Sequence, residues 1–373
     1  MEMAELKKII MKIPDIQKNG RGSVVDGRFP MFYTASGIEF MIKCSELWIE
    51  LSSDYYSQES WISVLLNDVR ISRIMVPAGK QKFCVLRNMN PEVIKKVRIS
   101  KDTQAMKDDT GHFLSIDAIY TDGEVIPFED RRLKLEFIGD SITSGEGLVG
   151  AKTEEEWVSC FFDSVYHYGN LTATKLNAEF RVLSQSGWGV ISGWDNNPSL
   201  CIPGIYDYTC ASNVSEEGKK FGALEQHDFT SWQPDFIIIN LGTNDNSAFY
   251  NPEWVSPDGS VTHKLRLTED GQKHPDDLKR FEDGVTTFLK QVRKNNPEVE
   301  IIWCYGILGC DIEPNILNGI GQYQVQTGDK KVYYLHFPEM TEEQCGARWH
   351  PGALAHQMMA ELLVEMIKEL RKY

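Results

Sequence analysis

Residues 133–145 read LKLEFIGDSITSG, an apolar run that ends in a Gly-Asp-Ser turn. Such a run is typical of a strand buried on both faces of a parallel sheet. Four further runs of this kind follow, at residues 180–184, 236–241, 301–305 and 332–337. Segments with helical periodicity alternate with these runs, which predicts a parallel sheet covered by helices in a three-layer α/β architecture.

Two helical segments of this part of the chain are well marked, at residues 276–294 and 352–373. In the second, apolar residues recur at spacings of three and four, as they do on the buried face of a helix: Ala355, Met359, Leu362, Met366 and Leu370. We predict a single α/β unit over residues 131–373.

The first third of the chain has a different pattern, in which short alternating segments are separated by Gly, Asn and Asp. The segments lie at residues 38–44, 47–51, 61–66 and 97–100, and no long amphipathic helix interrupts them. This pattern predicts an all-β sandwich domain over residues 21–130. We expect an N-terminal extension at residues 1–20 and a domain boundary near the charged segment FEDRR at residues 128–132.

The composition limits the class of partner. The chain of 373 residues has a net charge of −15, which disfavours binding to nucleic acid and to anionic membrane surfaces. Its first twenty residues contain neither a signal-peptide core nor a spanning helix, so we expect a cytoplasmic protein. The eight cysteines include no Cys-x-x-Cys pair, and we expect neither a metal site nor a cofactor.

Unusual turns follow three of the predicted strands. They are GDS at residues 139–141, SGWG at residues 186–189 and GTND at residues 242–245, and RWHPG at residues 348–352 precedes the last helix. Ligands of open α/β sheets bind beyond the carboxyl ends of the strands. The candidate site residues are therefore Ser141, Gly187, Asn244 and His350.

These residue types suit nucleophilic catalysis. A Ser hydroxyl becomes a good nucleophile when an imidazole takes its proton, which assigns Ser141 as nucleophile and His350 as general base. Each residue also has a structural interpretation. Ser141 suits a helix N-cap, Gly187 and Asn244 suit turns, and His350 suits a loop ahead of Pro351 at a helix start.

Taken together, the four motifs resemble the blocks of the SGNH/GDSL hydrolase family, which contribute Ser, Gly, Asn and His in this order. The resemblance implies a flavodoxin-like α/β/α catalytic domain. It also implies an oxyanion hole formed by the backbone N–H groups of Ser141 and Gly187 and by the side-chain amide of Asn244.

One position departs from the family pattern. Family members carry Asp three residues before the catalytic His, where this chain has Ala347. We therefore expect a Ser-His dyad that forms an acyl-enzyme intermediate, with His350 Nδ1–H held by a backbone carbonyl from residues 344–347.

The β-sandwich and the missing Asp together resemble carbohydrate esterase family 2, whose members are acetyl xylan esterases. This resemblance implies an N-terminal jelly roll and the removal of O-acetyl groups from xylan-type poly- or oligosaccharides. An SGNH thioesterase or lysophospholipase stays open as an alternative, as does a non-catalytic carbohydrate-binding protein. A homo-oligomer is also left open.

Tryptophans flank the predicted site, and sugar rings pack well on flat aromatic side chains. We predict Trp349, Trp188 and Asp140 as substrate-binding residues, and Trp194 lies near the same motifs. His356, in the last helix, is expected to be a surface or packing residue.

Overall fold

The computed structural model describes residues 6–127 and 133–372. The predicted boundary at residues 128–132 lies outside the described residues, as does Tyr373. We call residues 6–127 the N-terminal β region and residues 133–372 the C-terminal α/β region. The division of the chain into separate domains stays a prediction.

The N-terminal β region consists of antiparallel strands: β1 Lys7–Ile9, β2 Gln17–Asn19, β3 Phe29–Pro30, β4 Gly37–Lys43, β5 Leu47–Asp54, β6 Ser60–Leu66, β7 Val69–Val76, β8 Gly79–Leu86, β9 Ile94–Lys101, β10 Phe113–Thr121 and β11 Glu124–Ile126. One sheet has the order β1-β10-β5-β8, with β3 on β10, and the other has the order β11-β4-β9-β6-β7, with β2 on β4.

Apolar residues of the two sheets form one core. Phe40 of β4 and Ile49 of β5 are both fully buried in it, because alternate residues of these strands face inward. The prediction of antiparallel β-structure is confirmed, whereas the jelly-roll connectivity stays a prediction. Strands β1 and β2 fall within the segment predicted as an extension, and both pair with strands of the sheets.

The C-terminal α/β region contains these elements: β12 Lys134–Gly139, α1 Ser141–Ser144, α2 Tyr168–Leu176, β13 Glu179–Ser184, α3 Glu216–Lys220, β14 Phe236–Asn240, α4 Thr243–Ala248, β15 Trp254–Val255, β16 Thr262–His263, α5 Pro275–Asn295, β17 Glu300–Tyr305, α6 Glu313–Thr327, β18 Val332–His336 and α7 Ala353–Leu370. Short 3₁₀ turns lie at Ser159–Phe161, Ile202–Gly204, Phe229–Ser231, Glu342–Gln344 and Ala347–Trp349.

The main sheet of this region is parallel, with the order β13-β12-β14-β17-β18. Helices α5 and α6 pack in the core on one face of the sheet, and α2 and α7 pack in the core on the other. The predicted three-layer α/β architecture is therefore confirmed. No helix among the described residues is long and apolar enough to cross a membrane.

Buried charges join the two regions. Arg21 of the N-terminal β region is fully buried, and its guanidinium lies 3.0 Å from Glu136 Oε1 on β12. The same guanidinium donates to the Tyr208 carbonyl oxygen at 3.0 Å and stacks over the Tyr206 ring. Asp102 of the N-terminal β region accepts from the Ser164 hydroxyl at 2.7 Å. These contacts fix how the two regions face each other.

We predict that Arg21→Met lowers the free energy of unfolding by about 3–5 kcal/mol, because it leaves the Glu136 carboxylate buried without its partner. Urea denaturation measures the loss. Adding Glu136→Gln to this variant should restore part of the stability, because the uncompensated charge is then removed. A loss below about 1 kcal/mol in Arg21→Met would contradict a structural role for this pair.

Candidate active site

Ser141 lies directly after β12, at the first position of the short helix α1. The Asp140 carboxylate caps this helix by accepting from the Ile142 backbone N–H at 3.1 Å. Gly139 permits the tight turn, since a Cβ there would lie 2.1 Å from Thr143 Oγ1 and 2.7 Å from the Asn240 carbonyl oxygen. The turn directs the Ser141 side chain toward the carboxyl edge of the sheet.

His350 meets Ser141 from a loop more than two hundred residues away in sequence. Its Nε2 lies 2.9 Å from Ser141 Oγ, and its Nδ1 lies 2.9 Å from the backbone carbonyl oxygen of Arg348. Because a carbonyl can only accept, Nδ1 carries the hydrogen in this contact and Nε2 is free to accept the Ser141 proton. The carbonyl belongs to a residue just after the predicted range of 344–347.

The loop that supplies this carbonyl has an uncommon backbone. Arg348 and Trp349 both lie in the left-handed region, with φ of 56° and 57°. Backbone hydrogen bonds hold it there, from Ala347 N to the Gly147 oxygen and from Arg348 N to the Glu154 oxygen, both at 2.8 Å. Left-handed non-glycine residues cost about 1–3 kcal/mol each and cluster at functional sites.

The predicted oxyanion donors line the same cavity as Ser141. Gly187 has φ of +80°, and a Cβ there would lie 2.9 Å from Trp194 Cδ1, so both its conformation and its surroundings favour glycine. Asn244 Nδ2 donates to the Trp188 carbonyl oxygen at 2.9 Å and lies 3.3 Å from Asp140 Oδ2.

Two buried carboxyl groups support this part of the site. The pKa of Asp140 is raised to about 7, chiefly by burial and also by the nearby Asp245 and Glu146 charges. Burial also raises the pKa of Asp245 to about 7, although its oxygens accept from the Val190 and Ile191 N–H groups.

One carboxylate approaches His350, the predicted general base. Glu146, which is 3% exposed, places Oε1 3.8 Å from His350 Nε2 and accepts from Arg348 Nε at 3.0 Å. It therefore lies on the Ser141 side of the imidazole and does not contact Nδ1, where a triad carboxylate would bind. Its ion pair with Arg348 also ties the His350 loop to the segment after α1.

The cavity above Ser141 has a volume of about 780 Å³, within the usual range for small-ligand sites. Both regions of the chain line it. The N-terminal β region contributes Ser57, Gln58, Gln104, Met106, Lys107, Asp108 and Asp109. The C-terminal α/β region contributes Ser141, Glu146, Trp157, Gln185, Ser186, Gly187, Trp188, Trp194, Asp195, Leu200, Asn244, Ser247, Asn251, Arg348 and His350.

The residues predicted to bind substrate occupy different positions. Trp188 and Trp194 line the cavity, and Lys107 Nζ lies 4.7 Å from the centre of a Trp188 ring. Trp349 is 59% exposed and, like Asp140, is not among the described residues that line the cavity. Asp140 is fully buried beneath Ser141. A role of Trp349 or Asp140 in binding substrate stays a prediction.

The sequence did not identify residues 104–109 as the part of the N-terminal β region that lines the cavity, nor did it indicate the contacts of Glu146. Nothing in the pattern of residues 104–109 indicated that this loop reaches a site whose first residue, Ser141, follows it by more than thirty residues. Glu146 had a usable signal, since it is a charged residue between two glycines, Gly145 and Gly147, shortly after the nucleophile.

His356 is a fully buried residue of α7 that faces α2, and its Nδ1 accepts from the Tyr168 N–H at 3.1 Å. It is thus a packing residue, one of the two roles expected. The described residues contain no group of three or more His, Cys, Asp or Glu side chains that could hold a metal ion.

Comparison with known proteins places this geometry in context. The family model of GDSL-like lipases and acylhydrolases matches residues 135–363. The structure of an acetyl xylan esterase from the rumen bacterium Butyrivibrio proteoclasticus is 37% identical in sequence and has a TM-score of 0.97, over 99% of each chain.

Two further relatives whose names include an esterase are similar to the chain at lower sequence identity. A cellulase/esterase of Acetivibrio thermocellus is 26% identical over 365 residues, which are 95% of this chain and 39% of the relative. An acetylxylan esterase/glucomannan deacetylase of Cellvibrio japonicus is 26% identical over 285 residues, or 74% of this chain and 69% of that protein. The chain thus spans well under half of the first relative.

The buried histidine His356 predicts a loss of stability in acid. Burial, with the His167 and His350 charges, holds its pKa well below the usual value, so the folded state keeps it neutral. An unfolded His takes up a proton near pH 6.5, so this stabilisation is complete above that pH and declines as the pH falls. Between about pH 7.5 and pH 5, urea denaturation should show the wild type losing about 2 kcal/mol more than His356→Gln.

Other titrating groups are present in both proteins, so the difference between them isolates His356. Equal losses in the two proteins would mean that this histidine is protonated in the folded state.

Proposed function

The chain is a carboxylic-ester hydrolase of the GDSL-like lipase/acylhydrolase family, and from that premise we propose that it removes O-acetyl groups from xylan-type poly- or oligosaccharides. The proposal is carried by the contact of 2.9 Å between His350 Nε2 and Ser141 Oγ, in a cavity that residues of both regions line. The similar acetyl xylan esterase supports the choice of substrate.

The reaction begins when His350 Nε2 takes the Ser141 hydroxyl proton and Ser141 Oγ attacks the acetyl carbonyl carbon. The imidazolium formed in this step donates its Nδ1–H to the Arg348 carbonyl, and the Glu146 carboxylate at 3.8 Å stabilises its charge. The proton then passes to the leaving sugar oxygen, which leaves an acetyl group on Ser141. Water activated by the same imidazole releases acetate.

The negative oxygen of the tetrahedral intermediate needs donors aimed at it in advance. The N–H groups of Ser141 and Gly187 and the Asn244 amide suit this role, and one such donor is worth about 3 kcal/mol in the barrier. Asn244 Nδ2 has two hydrogens. The hydrogen bond to the Trp188 carbonyl oxygen, at 2.9 Å, can persist during the reaction. The other hydrogen faces Asp140 Oδ2, which lies 3.3 Å from Nδ2, and it turns from that oxygen to the oxyanion.

The lining of the cavity favours a sugar over a long acyl chain. Charged and amide side chains such as Lys107, Asp108 and Gln58 form one wall, and Trp188 and Trp194 add aromatic surface. A pyranose presents hydroxyls and an apolar ring face, which match such a mixed lining. An acyl chain would leave these polar groups without partners, and this disfavours the thioesterase and lysophospholipase alternatives.

We predict that Ser141→Ala abolishes acetate release from acetylated xylo-oligosaccharide and hydrolysis of p-nitrophenyl acetate. The thermal midpoint should stay close to that of the wild type, because the hydroxyl contributes little packing. Wild-type activity on acetyl esters should greatly exceed activity on the matching octanoyl ester. Substantial activity in Ser141→Ala, or a preference for octanoyl esters, would overturn the proposal.

The proposed Ser-His dyad needs no carboxylate, which leads to a second prediction. Glu146→Gln should lower kcat by less than about tenfold, whereas His350→Ala should lower it by three or more orders of magnitude. Removing the charge of a true triad carboxylate costs about 10⁴-fold. A loss of that size in Glu146→Gln, at an unchanged thermal midpoint, would make Glu146 the third member of a triad.

Replacing Glu146 and His350 is a clearer test of the dyad than introducing the family's Asp at position 347. Ala347 is fully buried, and a Cβ on Gly150 would lie only 3.1 Å from its Cβ. An introduced carboxylate would therefore be desolvated and would destabilise the loop for reasons unrelated to His350.

A further inference from the structure

We propose that Gln104 of the N-terminal β region is a positioning residue for the proposed oxyanion donor, the Gly187 N–H. Its side chain holds the loop at residues 185–187 against α1, the helix that carries Ser141. The proposal rests on the proposed esterase function. It gives the N-terminal β region a part in the chemical step as well as in forming a wall of the cavity.

The Gln104 side chain lies where three segments meet. It is 2% exposed and belongs to the loop between β9 and β10. Its Oε1 accepts from the Ser186 backbone N–H at 2.7 Å, and the Ser186 and Ser144 hydroxyls lie 3.0 Å and 2.9 Å from the same oxygen. One amide oxygen thus joins the loop before Gly187 to the last residue of α1.

The contact acts on a turn whose other hydrogen bonds lie on either side of the Ser186 N–H. Gln185 N donates to the Gly139 oxygen at 3.1 Å, and Trp194 N donates to the Gly187 oxygen at 3.0 Å. The Ser186 N–H belongs to the peptide unit just before the one that carries the Gly187 N–H, so fixing the first limits how the second can rotate. A second contact from the same segment, Gln185 Nε2 to the Ala105 carbonyl at 2.7 Å, holds the start of the loop. Gly187, just beyond this anchor, has φ of +80°, a conformation that glycine adopts without strain.

Preorganisation of the oxyanion donors links this contact to the reaction rate. Oxyanion donors lower the barrier because they already point at the developing charge, and a shift of about 1 Å removes much of that benefit. Without the Gln104 acceptor, the half-buried Ser186 N–H would have to turn toward another partner or lose a hydrogen bond. Either result displaces the Gly187 N–H, which affects the transition state more than substrate binding.

The test compares three variants in hydrolysis of p-nitrophenyl acetate by the full-length chain. Gln104→Met keeps the side-chain length and removes the acceptor. Gln104→Asn keeps the amide group on a side chain that is one methylene shorter, so its oxygen lies farther from the Ser186 N–H. This milder change keeps the proposal testable if Gln104→Met fails to fold. Asn213→Leu is the matched control, because Asn213 is 2% exposed and donates across the same interface to the His112 carbonyl at 3.0 Å.

We expect kcat to fall about tenfold or more in Gln104→Met and by a smaller but clear factor in Gln104→Asn. KM and the midpoint of the pH–rate profile should stay within about twofold and a few tenths of a pH unit of the wild type, since His350 is untouched. Asn213→Leu should keep kcat within about twofold. A kcat within twofold of wild type in both Gln104 variants, or an equal loss in Asn213→Leu, would overturn the proposal.

Amide hydrogen exchange separates this result from a failure of the proposed function. If the wild type hydrolyses no acetyl ester, the proposed function is wrong. Amide exchange in peptides covering residues 184–190 still tests whether Gln104 holds this loop. Exchange there should be about tenfold or more faster in the Gln104 variants than in the wild type. Unchanged exchange in that segment would show that Gln104 does not hold the loop.

Discussion

The hydrogen bond from His350 Nδ1 to the Arg348 carbonyl oxygen sets the tautomer of the imidazole, and the proposed chemistry depends on that tautomer. The contact exists because Arg348 and Trp349 adopt left-handed backbone angles that turn the carbonyl toward the ring. Gly147 is needed opposite them, since a Cβ there would lie 2.3 Å from the Ala347 oxygen and 2.7 Å from His350 Cβ. In the proposed dyad, this backbone conformation and the close approach of Gly147 take the role that a carboxylate has in a triad.

This arrangement makes the active site depend on the packing of several segments. The Glu146–Arg348 ion pair links the His350 loop to the segment after α1, and Gln104 links α1 to the loop before Gly187. The two regions are in turn fixed by buried charges such as Arg21 and Glu136. A change at the interface of the regions can therefore reach the reacting atoms through short chains of hydrogen bonds.

Much of the fold could be predicted because its strands are buried on both faces. The apolar runs at residues 133–138 and 332–337 coincide to within one residue at each end with β12 and β18, and the helix predicted at residues 276–294 is α5. The candidate site could be predicted because parallel strands end at one edge, which brings the turns at Ser141, Gly187 and Asn244 to a common cavity.

Other features depend on contacts distant in sequence, which local patterns do not encode. The left-handed conformation of Arg348 is imposed by partners near residues 147 and 154, and no glycine or asparagine marks it. Trp349 was the tryptophan nearest to His350 in sequence, yet this same backbone turn leaves it 59% exposed. Gln104 reaches Ser186 only after two sheets and a buried interface have formed.

Trapping the acetyl-enzyme is the most direct test of Ser141 as the nucleophile. The wild type would be mixed rapidly with p-nitrophenyl acetate, quenched in acid within the first turnovers, digested and mapped by mass spectrometry. If Ser141 is the nucleophile, the peptide that contains Ser141 carries one added acetyl group, and the same peptide from Ser141→Ala carries none. An acetyl group on a different residue, or steady hydrolysis with no acetyl-Ser141 under conditions where deacetylation is rate-limiting, would contradict this assignment.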